Sequence, residues 1–190
     1  GEVWKKGGMS RSELTAVCNT ATDQLRSNIQ HSCGVVPTWF DFEDGAVNDG
    51  HCVIVGGGPS LASKIDEIRW RQSLGQKVWA LNNTAKFLRS HGIVVDAQVM
   101  LDARRENADF IADAGKYLIA SQCHPDVFLR VPTARTILWH PHTEVVEEVV
   151  KDVNDKPVHL IGGGTTVGIL ATSLAFLTGF RKIHLYGFDS

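Results

Sequence analysis

From Cys52 onward the chain repeats one unit: a short apolar run rich in β-branched residues, a turn, then a helical pattern. Seven such runs occur, at Cys52–Val55, Val78–Leu81, Ala97–Leu101, Tyr117–Ala120, Thr136–Trp139, Val158–Ile161 and Ile183–Tyr186. Helical spacing separates them at Leu61–Leu74, Thr84–His91, Asn107–Ala114, Glu144–Val153 and Thr166–Leu177. Runs without polar alternation suit strands covered on both faces. Strands alternating with helices require a parallel sheet joined by right-handed crossovers. Seven strands in a chain of 190 residues do not close a barrel. The fold class is therefore α/β, a doubly wound, mostly parallel open sheet of Rossmann-like type.

Ahead of this repeat, the spacing of Leu14, Val17, Cys18, Ala21, Leu25 and Ile29 predicts an amphipathic helix from about Ser10 to His31. Residues 32–50 are rich in Pro, Gly and Asp and read as a connecting loop, anchored by Trp39, Phe40 and Phe42. The expected organisation is thus an N-terminal helix and loop over residues 1–50 and a nucleotide-binding domain over 51–190. Gly1 in place of a methionine, and an end just after a strand-like segment, read as the bounds of a fragment truncated at its C-terminus.

Charge and cysteine usage narrow the function classes. The net charge is −2 with Lys and Arg dispersed, so no basic field points to nucleic acid. The most apolar stretch, "VGILATSLAFLTGF", is 14 residues long and contains polar side chains, short of the roughly 20 that a span requires. Cys18, Cys33, Cys52 and Cys123 are scattered without a CxxC pair and read as free thiols of a reducing cytosol. A cytoplasmic protein is expected, with self-association compatible but unspecified.

In an open parallel sheet, ligands bind beyond the carboxyl ends of the strands. The first such end, "CVIVGGGPSL", half-matches two phosphate motifs. Gly56 and Gly58 fit G-x-G-x-x-G, but Leu61 stands at the third glycine, and the second strand ends in Asn82 and Asn83 rather than an acidic residue. No Lys-Ser or Lys-Thr completes a Walker loop. Gly56, Gly57 and Gly58 still permit close backbone approach, Pro59 suits a first helical turn, and Ser60 can cap. Together they predict a phosphate-facing helix start.

A second turn, "HLIGGGTTVGILA", supplies Gly162, Gly163 and Gly164, with Thr165 and Thr166 as hydroxyls at a helix start. Asp102 follows "AQVML" and Asp189 follows "IHLYGF", where carboxylates can bind a metal or activate a hydroxyl. Asp96 begins its strand and reads as structural. Arg104 and Arg105 are equally readable as phosphate partners or solvated charges. His124, His140 and His142 lack a third metal ligand nearby; a loop histidine contacting an anion is the functional alternative.

"VIVGGGPSL", "ALNNTAKFL", "GIVVDAQVMLD" and "GGGTTVGILATSLAFLTGFRKIHLYGFD" together resemble the MptE-like 6-hydroxymethylpterin diphosphokinase family, over about residues 52–189. The same order of motifs is similar to bacterial sialyltransferases and motility-associated flagellin glycosyltransferases. The resemblance implies a nucleotide-dependent transferase: either ATP with Mg²⁺ giving diphosphate to a hydroxymethylpterin-type alcohol, or a nucleotide-sugar giving a sugar to a glycan acceptor. It further implies that Gly57, Gly58, Pro59 and Ser60 line phosphates and that Asn82 meets ribose or base. Asp102 and Asp189 would face the ligand or its metal, and Thr165 and Thr166 the leaving group. Val167 departs from the sialyltransferase-like pattern, which has a serine there. A nucleotide-binding module without catalysis is the remaining reading.

Overall fold

The computed structural model describes residues 20–41, 46–153, 158–164 and 166–189. Helix α1 (Thr22–Val35) comes first, ending four residues beyond the predicted limit; residues 10–19 of the expected helix lie outside the described residues, as do Phe42 and Thr165. Its buried Leu25, Asn28, Ile29 and Ser32 recur at helical spacing, so one stripe faces the body of the molecule.

Seven strands follow: β1 (His51–Val55), β2 (Lys77–Leu81), β3 (Ala97–Met100), β4 (Lys116–Ala120), β5 (Thr136–Pro141), β6 (Leu160–Ile161) and β7 (Lys182–Tyr186). They form one sheet in the order β6-β5-β4-β3-β2-β1-β7, and every pair is parallel. Six of the seven predicted runs lie within a residue or two of these strands. The seventh, β6, keeps only the last two residues of its run, pairing Leu160 and Ile161 with His140 and Pro141.

In the inner strands the apolar runs are continuous because both faces are covered: Val53, Ile54, Val55, Val99, Ile119 and Leu138 are all fully buried, whereas the edge strand β7 departs from the expectation, with Leu185 exposed. Between strands lie α2 (Ile65–Ser73), α3 (Thr84–Ser90), α4 (Pro125–Phe128), α5 (Glu144–Val153) and α6 (Val167–Leu177). From β1 to β6 the chain steps one way across the sheet, and the β6–α6–β7 connection returns across it to the far side of β1. Right-handed crossovers therefore set α6 on the face opposite α2 and α3. The order reverses between β1 and β7, the crevice where such sheets bind ligands.

Two predicted helices change character. The pattern over 61–74 begins as a 3-10 turn, Pro59–Lys64, before becoming α2. The pattern over 107–114 forms only a 3-10 turn, Arg105–Phe110. There side chains replace helical partners: Gln98 Oε1 accepts from the Ala112 N–H at 3.1 Å, and Tyr117 Oη accepts from the Ala114 N–H at 3.2 Å.

The loop after α1 docks as expected of its aromatics. Trp39 bridges Leu138 of β5, and Phe40 is buried. Helix α1 packs on α4 and α5. Asp96 is structural as read, its Oδ2 accepting from the Val78 N–H at 2.8 Å. Among the described residues, no helix is long and apolar enough to cross a membrane.

Candidate functional site

The end of β1 is shaped by the exit of β7. Gly56 N–H donates to the Tyr186 carbonyl and Gly58 N–H to the Gly187 carbonyl, both at 2.8 Å. A Cβ on Gly58 would stand 2.3 Å from the Asp189 carbonyl oxygen, so only glycine fits. Gly187 has φ +66°, and a Cβ there would lie 2.3 Å from the Gly56 carbonyl oxygen. Two backbones pass at contact distance, a geometry that any side chain would wedge apart.

Ser60 does not cap the helical turn that follows. Its N–H donates to Asp189 Oδ2 at 3.0 Å and its hydroxyl to Asp189 Oδ1 at 2.5 Å. The Ser60 hydroxyl, with the Ser60 backbone N–H in support, holds the Asp189 carboxyl below its ordinary pKa. The triple-glycine loop was expected to offer several amides to a phosphate. Instead Gly56, Gly58 and Ser60 are bonded to the β7 exit. Gly57 is the exposed member, and its α-carbon faces Thr84 Oγ1.

Asn82 adopts the left-handed conformation, φ +46°, at the end of β2. Its carbonyl accepts from Gln98 Nε2 at 2.8 Å, while its side-chain Oδ1 has no hydrogen-bond partner. Asn83 precedes α3 and makes no side-chain cap. Asp102, after β3, is bound by its own loop. Oδ1 accepts from the Arg104 N–H at 2.9 Å, and the guanidinium grips both oxygens at 2.5–3.0 Å. Burial works against the charged carboxylate, but the Arg104 side-chain and backbone hydrogen bonds, with Asn107 beside them, outweigh it and keep its pKa low. Sequence reasoning missed Asn107, which is buried; an Asn five positions after a strand-end Asp carries no signal of its own. Arg105 reaches Asp126 at 2.7 Å.

The second glycine turn folds back on its own helix. Gly162 lies beside His142 at the β5–β6 end, while Gly163 and Gly164 lie against Ser173 and Ile169 of α6. Thr166 caps α6, its Oγ1 accepting from the Ile169 N–H at 3.4 Å, and two residues on Gly168 abuts the Phe188 ring, which leaves no room for a Cβ. That ring also lies against Gly56, so the starts of both glycine-linked helices meet the β7 exit. Gly163 and Gly164 are exposed on the intervening stretch.

Asp102 and Asp189 do not share a point. They follow strands three places apart, about 14 Å at the usual strand spacing. Among the described residues, no group of three His, Cys, Asp or Glu side chains could hold a metal ion. The donor set therefore does not fit a Mg²⁺ ion caged by protein ligands. The histidines separate too: His124 Nδ1 accepts from the Asp126 N–H, His140 is buried edge-on against Trp39, and His142 is exposed near Glu147.

A groove of about 660 Å³ opens along β7 from Ser60 and Asp189 past Lys64, Glu67, Arg71 and Tyr186. The Tyr186 hydroxyl donates to Glu67 Oε1 at 2.6 Å and accepts from Arg71 Nε. Burial, then the Glu67 carboxylate, raises the Tyr186 pKa. None of these contacts was read from the sequence: Glu67 and Arg71 stand at i,i+4 on α2, but Tyr186 lies 115 residues beyond Arg71.

A family model described as 6-hydroxymethylpterin diphosphokinase MptE-like matches residues 23–190. No curated protein matches the chain. Among solved structures, the MAf glycosyltransferase from Magnetospirillum magneticum AMB-1 is similar over 90% of this chain, with a TM-score of 0.67 and 16% identity. The match establishes a common fold, and the chain spans 28% of that protein's length.

Proposed function

The chain belongs to the MptE-like family, and from that premise we propose that it is a nucleotide-dependent transferase, moving diphosphate from ATP to a hydroxymethylpterin-type alcohol. The observation that carries the reading is the meeting of the Gly56–Ser60 loop and the β7 exit at the order reversal of a fully parallel sheet. The nucleotide phosphates lie over the Gly57 amide beside Thr84, with ribose or base toward the Asn82 side chain. Thr166, and Thr165 next to it, flank the leaving group.

Asp102 orients the acceptor hydroxyl. A carboxylate with a lowered pKa is a weak base, but phosphoryl-type transfer through a loose transition state asks chiefly for positioning and charge neutralisation. Arg104, exposed beside Asp102, supplies positive charge toward the phosphates. Any Mg²⁺ arrives with the nucleotide, since that ion is commonly bound through substrate phosphates.

The fold shared with a glycosyltransferase supports a second reading, in which a nucleotide-sugar is the donor and a glycan hydroxyl the acceptor. Thermal-shift titration with ATP, CMP, GDP and UDP, with and without Mg²⁺, separates the two. Stabilisation by ATP that requires Mg²⁺ is expected for the diphosphokinase; metal-independent stabilisation by CMP favours sugar transfer. Silence toward all four removes both. Asp102→Ala is expected to abolish transfer while leaving nucleotide affinity within about twofold, a loss of positioning rather than of binding.

A further inference from the structure

The tripeptide Gly187-Phe188-Asp189 touches three separate elements. Gly187 accepts from the Gly58 N–H, Phe188 packs on Gly168 of α6, and Asp189 holds Ser60. The match at Ser60 is one of acceptors to donors: two carboxylate oxygens take the two protons that one serine presents. This joins positions 129 residues apart. With Gly56, Gly58 and Ser60 all bonded inward, the loop is pinned along its length, and Gly57 is the member turned outward beside Thr84.

We infer that Asp189 is a positioning residue: its carboxylate latches the Gly56–Ser60 loop through Ser60, and it touches neither the transferred group nor an ion. The negative charge at the start of the Pro59–Lys64 turn also turns phosphates away from that point and toward Gly57. Where it concerns the nucleotide, the inference rests on the transferase reading above.

Two properties distinguish a latch from a ligand. A latch depends on Ser60 as much as on Asp189, and its loss does not depend on metal. Asp189→Ala removes both acceptors, whereas an Asn could still accept from the Ser60 N–H and donate to its hydroxyl. Ser60→Ala removes the hydroxyl donor alone.

The test is a double-mutant cycle of Asp189→Ala and Ser60→Ala, read without ligand by hydrogen exchange at the amides of residues 57, 58, 60 and 61. Each single variant is expected to speed exchange at amide 60, and the double variant to exchange no faster than Asp189→Ala. In nucleotide titrations, both single variants are expected to weaken binding roughly fivefold, equally with and without Mg²⁺. Unchanged exchange at amide 60 in Asp189→Ala overturns the latch. So does a loss of affinity confined to solutions containing Mg²⁺, which would make Asp189 an ion ligand. If the native chain binds no nucleotide, the transferase reading fails, while the exchange cycle still decides the latch.

Discussion

Asp102 and Asp189 occupy matching places, each closing a strand at the same end of the sheet, yet they are held by opposite means. Asp102 is satisfied within three residues, by the backbone and guanidinium of Arg104. Asp189 is satisfied across the molecule by Ser60, in a contact that exists only because β7 returns beside β1. A local arrangement survives small displacements of the sheet. A long-range one converts any such displacement into a change of loop shape.

The sharpest way to break the long-range arrangement is to wedge it. In Gly187→Ala, a Cβ 2.3 Å from the Gly56 carbonyl oxygen combines a clash with a left-handed residue, and a loss of about 3 kcal/mol or more is expected by urea unfolding. Gly75→Ala serves as the control. It has φ +81° but open space around it, so the loss there should be about 1 kcal/mol from conformation alone. Equal losses at the two positions would mean that close approach does not hold the β7 exit.

Acid titration compares the two carboxylates only once a third group is subtracted. His140 is buried, and burial pushes its pKa down to about 4 from the ordinary 6.5. Its folded-state pKa is depressed, so its contribution is fully present above pH 6.5 and is lost as pH falls toward 4. The scale of that loss is about 3 kcal/mol. His140→Phe should flatten this part of the stability profile, leaving a steeper fall at lower pH. That residual fall belongs to carboxylates whose pKa values are lowered, Asp102 and Asp189 among them, which stabilise above their unfolded values and lose the effect as they protonate. An unchanged profile in His140→Phe would remove His140 from the account.

The local arrangement predicts the smallest effect. Asp102→Ala should lower stability by about 1 kcal/mol in thermal unfolding, the usual worth of a capping acceptor, and Asp102→Asn should restore most of it through the bond to the Arg104 N–H. A loss in Asp102→Asn as large as in the alanine variant would show that the guanidinium pairing, not the backbone bond, secures this loop.

Much of the fold was legible because parallel strands buried on both faces leave unbroken apolar runs, and Cys52–Val55 or Ala97–Met100 need no partner to be recognised. Helix limits were less legible where tertiary partners competed. Gln98 and Tyr117 take up backbone groups of residues 112–114 that a helix would have used, and neither contact is visible in local spacing. At the site, the sequence located the strand-end residues but assigned the loop amides to a ligand. Their actual acceptors, on Tyr186, Gly187 and Asp189, lie more than 120 residues away.

The sequence by itself determined the alternation of strands and helices, the glycine-rich loop, and the strand-end places of Asp102 and Asp189. These follow from hydrophobic period, backbone freedom and capping, which act over a few residues. Only the tertiary structure decided the strand order, the separation of the two aspartates, and the pairing of Ser60 with Asp189. Order and distance arise from which chain segments return to lie side by side, and no local rule of hydrogen bonding or packing carries that information.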